Sequence, residues 1–238
     1  MESIKHKNIL VVGATGGIGS IVVKLLINSG GNLFIAGRNE KLLYEIANQH
    51  KIDAGACYIG DLTNQENVLE LKEKYFKKYP TIDMLINTSG IGIIKTTEHL
   101  SESDFYKTIM VNLFAPYLLI KAFLPSMKES KKGLVVHIPG VLGKGPMLGA
   151  AAYSASKYGL VGMLQSIREE IKRTDIRITN LFMGGVDSPF WENIDLRVQK
   201  EKMITAEEAA KAIWFLCQQP TSGVISEMVL QPFNHQAI

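Results

Sequence analysis

The chain has 238 residues, 46% of them hydrophobic, and a net charge of +3. That is enough apolar material for one sizeable core, so a single domain over 1–238 is expected. The small charge, with basic runs at 72–78 and 128–132 that are interrupted by other residues, describes solvated helix faces and a loop and argues against a nucleic-acid footprint.

The apolar run 9–12 is too short for a signal-peptide core and leads straight into glycines. No stretch approaches the ~18 apolar residues of a spanning helix, so the expectation is a cytoplasmic protein with no membrane partner. Cys57 and Cys217 match neither a zinc nor a Cys-x-x-Cys pattern, which fits a reducing compartment, and no metal site is expected.

In chain order, 8–12 reads as an unbroken apolar strand, followed by Gly13-Ala14-Thr15-Gly16-Gly17-Ile18-Gly19 and then by Ile18, Ile21, Val22, Leu25 and Leu26 at helical spacing. Strand, glycine-rich turn and helix are what a dinucleotide pyrophosphate needs. Glycines let backbone N–H groups come close, and the helix N-terminus offers partial positive charge. The spacing is Gly-x-x-x-Gly-x-Gly; a merely tight connection is the bland alternative, and its place after the first strand favours cofactor binding.

A second strand covers 33–36. Its end is the position that reads the adenosine ribose, where a carboxylate selects NAD. Here Gly37 and Arg38 stand there, and a guanidinium can pair with a 2′-phosphate through two hydrogen bonds, so NADP is the expected cofactor.

Further strands are expected at 54–59, 82–86, 133–138, 176–182 and 227–230. Between them lie a helix burying Val68, Leu71, Tyr75 and Phe76, a long helical region at 104–127 with Asn112 inside it, a helix around Tyr153, and one at 206–218 opened by Thr205. Strands alternating with helices imply right-handed crossovers and a doubly wound, largely parallel sheet of Rossmann type, a three-layer α/β/α fold.

Tyr153-Ser154-Ala155-Ser156-Lys157 puts a phenol and an ammonium one helical turn apart on one face. A neighbouring ammonium stabilises phenolate, so the pair makes a plausible acid/base unit. Alone the spacing is weak, since a solvated Lys and a half-buried Tyr occur by chance.

With these residues in order, the chain resembles the short-chain dehydrogenase/reductase family over nearly its whole length. The matching elements are the 13–19 turn, Asp61, Asn87-Thr88-Ser89-Gly90, Asn112, Tyr153 with Lys157, and Gly184-Gly185-Val186-Asp187-Ser188-Pro189. The resemblance implies catalytic roles for Tyr153, Lys157 and Asn112, with Asn112 in a proton relay and Lys157 holding the nicotinamide ribose and lowering the Tyr153 pKa. It implies a cofactor site made of Gly13, Thr15, Gly16, Gly17, Ile18, Gly19, Arg38, Asp61, Leu62, Asn87, Gly90, Tyr153, Lys157, Gly184, Val186 and Ser188. It further implies a small-molecule substrate and a homodimer or homotetramer, for which the apolar and small residues Phe114, Tyr117, Leu118, Ala155, Gly159, Gly162 and Met163 are the candidate surface.

The sequence departs from that pattern at Gly140, thirteen residues before Tyr153, where the family places a catalytic serine. No Ser or Thr occurs from Lys131 to Ala152, so a slip of frame does not restore the hydroxyl. His137 is expected to be a packed histidine with one satisfied nitrogen, Lys144 a loop charge, and Met183, where proline is usual, a backbone variation.

Removing one oxyanion-type donor typically costs ~10²–10³ in rate, out of accelerations of ~10⁶ or more. The sequence therefore supports an NADP-dependent oxidoreductase interconverting a carbonyl and a secondary alcohol, weakened or substrate-assisted. The alternative is a non-catalytic or regulatory NADP-binding protein. An extended-branch epimerase or dehydratase is disfavoured by the short tail after the sixth strand. Ile91 to Ile94, Val141, Met147, Leu148, Phe190 and Trp191 are the side chains expected to border a substrate.

Overall fold

The computed structural model describes residues 1–194 and 196–234. Strands β1 (Asn8–Val12), β2 (Asn32–Gly37), β3 (Cys57–Ile59), β4 (Met84–Asn87), β5 (Lys132–His137), β6 (Asp175–Met183) and β9 (Glu227–Leu230) form one parallel sheet in the order β3-β2-β1-β4-β5-β6-β9. β7 (Val186–Asp187) and β8 (Ile204–Thr205) form a separate small pair. The order reverses between β1 and β4, so the connections leaving those two strands go to opposite sides and leave a crevice at their C-terminal ends.

Helices cover both faces. On one, α1 (Gly17–Asn28) and α7 (Ala206–Leu216) bury Val22, Val23, Leu26, Ile213 and Leu216 against Ile9, Val11 and Ile86. On the other, α3 (Gln65–Lys78), α5 (Ala115–Ser130) and α6 (Ala151–Ile171) bury Leu71, Tyr75, Leu119, Phe123, Leu160 and Leu164 against Leu10, Leu85 and Val135. Alternate residues of each strand thus feed two cores, which is why the strands read as unbroken apolar runs. Phe123 is fully buried and meets the ring of Tyr75 edge-on at 5.4 Å, so its truncation to Ala is expected to cost about 3–5 kcal/mol.

Three elements differ from the sequence expectation. Residues 54–56 form a 3₁₀ turn, with Asp53 accepting a hydrogen bond from Gly55 N at 2.7 Å, and only 57–59 pair as strand. Helix α2 (Glu40–Gln49) was not expected. It packs Leu43, Ile46 and Ala47, at helical spacing, against the α1-side core, and is started by Asn39 accepting from Leu42 N.

The 104–127 region is α4 (Glu102–Ile109), a π-turn at Met110–Phe114 centred on Asn112, and then α5. Taken together, Glu102–Ser130 is long and apolar enough to cross a membrane by length and composition, contrary to the sequence reading. In the fold its apolar residues Leu119, Phe123 and Met127 are packed in the sheet core. The N-cap at Thr205 is found as a full capping box with Glu208.

Candidate functional site

The glycine-rich turn closes between β1 and α1 under tight steric limits. Gly13 has φ +80°, and a Cβ there would lie 2.7 Å from Ser89 N. At Gly19 a Cβ would lie 2.1 Å from the Gly13 carbonyl oxygen, so neither position admits a side chain. Thr88 Oγ donates to the carbonyls of Val12 and Gly13 at 2.9 and 3.2 Å, joining the end of β4 to the turn. Helix α1 starts at Gly17 with no side-chain cap and no acidic residue in its first turn, so its N-terminal N–H groups face the crevice unneutralised. These residues fit a dinucleotide.

Other expected cofactor positions gather around this turn. Gly37 lies against Thr15, since a Cβ there would approach Thr15 Cγ2 at 3.0 Å. Arg38 is exposed beside a shallow, open depression lined by the consecutive residues Arg38, Asn39, Glu40 and Lys41, at the ribose-reading end of β2. At the far side, Ser188 and Pro189 lie over Gly17, whose Cβ would meet Pro189 Cδ at 2.8 Å. Ile18 packs against the α1-side core, as do buried Val186 and the neighbouring Met183. Gly184 N donates to the Leu230 carbonyl at 2.8 Å, tying that stretch to β9.

Asp61 is exposed after β3, with Oδ1 accepting from Thr63 N and Thr63 Oγ at 3.0 and 2.8 Å, while Leu62 turns into the second core. Asn87 ends β4 at the crevice, as a strand end there is expected to, and its side chain is buried, with Oδ1 accepting from Ser89 N and Ser89 Oγ.

The residues expected to do acid/base work converge where β4, β5 and α6 meet. Asn112 Oδ1 accepts from Ile91 N and its Nδ2 donates to Ile91 O, both at 2.9 Å, and Nδ2 also reaches Ser156 Oγ at 3.2 Å. Ser156 Oγ in turn donates to the Tyr153 carbonyl at 2.7 Å. Asn112 thus fastens the loop after β4 to the Tyr153 helix, and Ser156 is a partner that sequence reading missed, although it lies inside the same Tyr-Lys segment.

Gly90 sits between the two helices, its Cβ position 3.3 Å from Asn112 Oδ1 and 3.6 Å from Lys157 Nζ. Lys157 is 4% exposed and donates from Nζ to the Ile138 carbonyl at 3.0 Å. Burial lowers its pKa to about 8.

Tyr153 is half-buried, and burial raises its phenol above the ordinary tyrosine range. This corrects the expected lowering by Lys157. Nζ stands 5.4 Å from the Tyr153 ring centroid, and the loss of solvent outweighs its field.

Phe190 meets the Tyr153 ring edge-on at 6.1 Å and rests on Gly92, where a Cβ would lie 2.4 Å from Phe190 Cζ. Trp191 packs edge-on against Phe190 and donates from Nε1 to the Val186 carbonyl at 2.8 Å. Leu148 is 89% exposed, on the connection between β5 and α6. Lys144 has a tertiary role that a loop charge does not require: it pairs with Glu227 and stands 4.4 Å from the Phe182 ring centroid.

The short chain dehydrogenase family matches residues 7–199, most of the chain. The chain belongs to that family. Among its relatives, an uncharacterized oxidoreductase of Staphylococcus saprophyticus is 29% identical over 98% of this chain and all of the relative. A 3-oxoacyl-(acyl-carrier-protein) reductase of Rickettsia felis is 29% identical over 96% of each chain. Among solved structures, a metagenomic short-chain oxidoreductase in complex with NADP is 26% identical, with a TM-score of 0.82 over 97% of this chain and 99% of that one. As a short-chain dehydrogenase, this protein is an oxidoreductase with a Rossmann-type sheet, and the site residues expected from its sequence lie on the elements described above.

Proposed function

We propose that this short-chain dehydrogenase uses NADPH to interconvert a carbonyl and a secondary alcohol, with Tyr153 moving the proton. The observation that carries the reading is the meeting of the buried Lys157 ammonium with Gly90 and Asn112, one helical turn from Tyr153, at the crevice end of the sheet. The cofactor supplies the hydride. The 13–19 turn and the α1 N-terminus hold its phosphates, Arg38 and Lys41 face the adenosine end, and Gly184, Val186 and Ser188 close the other side.

Lys157 provides positive charge beside the ribose and the phenol, Tyr153 Oη holds and transfers the proton, and Asn112 positions α6 against the loop after β4. The NADP complex of the metagenomic relative and the carbonyl-reducing name of the Rickettsia relative support this assignment.

Gly140 takes the place of the family's serine in this reading. A Cβ there would lie 3.9 Å from Tyr153 Oη, so the position faces the reacting group without a hydroxyl to offer it. Turnover is then weakened, or completed by a polar group of the substrate. That same glycine favours a second reading, a protein that binds NADPH without turning it over.

The deciding experiment is NADPH oxidation across ketones, aldehydes, diketones and quinones, with Tyr153→Phe as control. Turnover that Tyr153→Phe abolishes supports the first reading, and binding with no turnover on any substrate supports the second.

A further inference from the structure

One buried titratable group has no part in the proposed reaction. Asn87, His137 and Asn180 are register partners across β4, β5 and β6. Strand alternation puts all three on the face that Leu85, Val135 and Ile178 present to α5 and α6, and none is more than 2% exposed.

Asn87 Oδ1 is identified by the two donors of Ser89 that it accepts, so the atom facing His137 Nδ1 at 3.4 Å is the amide nitrogen. An amide N–H demands an acceptor, which fixes the ring as the Nε2–H tautomer. That Nε2–H, and both Oδ1 and Nδ2 of its neighbour Asn180, are buried and have no hydrogen-bond partner among the described residues.

Each buried polar atom left unpaired costs about 1–3 kcal/mol, so three in one place need a common ligand. Internal water, with two to four polar partners, is the usual one.

We infer that the ends of β5 and β6 enclose an internal water site, held by His137 Nε2–H and the Asn180 amide, and that His137 thereby keeps water beside Lys157. Lys157 is close, since its Nζ bonds the carbonyl of Ile138, the residue after His137, and its charge reaches the ring. It is the charge that acts on the ring. The other α6 charge on this side, Arg168, donates to the carbonyls of Ile178 and Ser226, and Glu227 of β9, the register partner of Asn180, is paired with Lys144. β4 and β6 present the two amides, the π-turn 110–114 carries no charged residue, and the α5 charges Lys121, Lys128 and Glu129 are exposed. His137 itself is neutral, because burial and Lys157 lower its pKa to about 3. It acts as a fixed donor, and the water dipoles it orders offset part of the desolvation of the ammonium.

The test uses the full chain and needs no turnover, so it stands apart from the reading of the reaction. A crystal structure that shows ordered water is expected to place one within hydrogen-bond distance of His137 Nε2 and the Asn180 amide. A direct His137–Asn180 bond, or a dry contact, overturns the site. A carbon-13 titration of the Lys157 side chain then reads the consequence. His137→Phe, which fills the space, is expected to move its midpoint down by about one pH unit, whereas His137→Gln, which keeps a donor, leaves it within a few tenths. Asn180→Leu removes the other ligand and is expected to act as His137→Phe does, which keeps the test decisive if the Phe variant fails to fold. A midpoint unmoved by the apolar substitutions overturns the role of His137.

Discussion

Gly140 faces the Tyr153 hydroxyl, with its Cβ position 3.9 Å from that oxygen, on a backbone at φ +70° and ψ 169° that belongs to glycine. A side chain there starts beside the Tyr153 hydroxyl but strains the chain by about 1–3 kcal/mol. Gly140→Ser is therefore expected to raise turnover of a simple carbonyl compound by less than the ~10²–10³ of one oxyanion donor, with NADPH affinity kept and Tm lowered. Gly140→Ala is expected to lower Tm equally and gain nothing. Steady-state rates beside thermal melts check both. A parent that is fast, and slowed by Gly140→Ser, would mean that the space is shaped for a polar group of the substrate.

Arg38 and Lys41 share the depression beside the end of β2, so cofactor preference is expected to rest on both. Arg38→Ala should weaken NADPH about 10-fold and leave NADH nearly unchanged, and Arg38→Ala with Lys41→Ala should remove the remaining preference, in keeping with about 1.5–3 kcal/mol per charged hydrogen bond. Fluorescence titration with both cofactors measures this. Equal affinity of the unmutated protein for NADH and NADPH would sink the assignment.

Lys157 has a pKa lowered by burial to about 8 from its ordinary 10.5, so function and stability are expected to move oppositely with pH. If Lys157 holds the ribose as proposed, that cation is lost as pH rises through about 8, and NADPH affinity should fall there. Between about 8 and 10.5 the unfolded chain binds the extra proton, so this group makes stability rise with pH across that window and imposes its full penalty below it. Lys157→Met should accordingly abolish turnover yet raise stability at neutral pH, by up to about 3 kcal/mol. His137 works in the acid range: its pKa is lowered from 6.5 to about 3, so stability is lost as pH falls through that interval. Urea melts across pH on the parent and on Lys157→Met distinguish the two contributions.

Phe105, Tyr106, Phe114, Tyr117 and Tyr158 are exposed on α4, the π-turn, α5 and α6, and a Cβ at Gly162 would meet nothing within 4 Å. We expect this face to join copies of the chain in a dimer or tetramer. Light scattering at micromolar concentration should give a multiple of the 26.3 kDa chain mass, and Gly162→Arg should shift it toward the monomer while leaving the far-UV spectrum intact. A monomeric parent would refute the expectation.

The sequence by itself determined the doubly wound sheet, because each strand buried on both faces is an apolar run and each crossover helix carries its own periodicity. It determined the 13–19 turn as well, whose glycines answer local steric demands, and the Tyr153–Lys157 pair, set by one turn of helix. It also reached His137 as a packed ring with one satisfied nitrogen, since a lone polar residue in an apolar strand leaves little else.

Only the tertiary structure decided what depends on distant segments meeting. Helix α2 had a legible signal in its Asn39 cap and in Leu43, Ile46 and Ala47 at helical spacing, which the sequence reading passed over, whereas only the fold shows that the apolar residues of the long 104–127 region are packed in the sheet core. That Asn112 clamps the loop after β4 and that Phe190 rests on Gly92 beside Tyr153 are matters of packing between elements. The direction of the Tyr153 shift was decided there too. Spacing along a helix gives the neighbour, whereas the depth of burial gives the dielectric in which that neighbour acts.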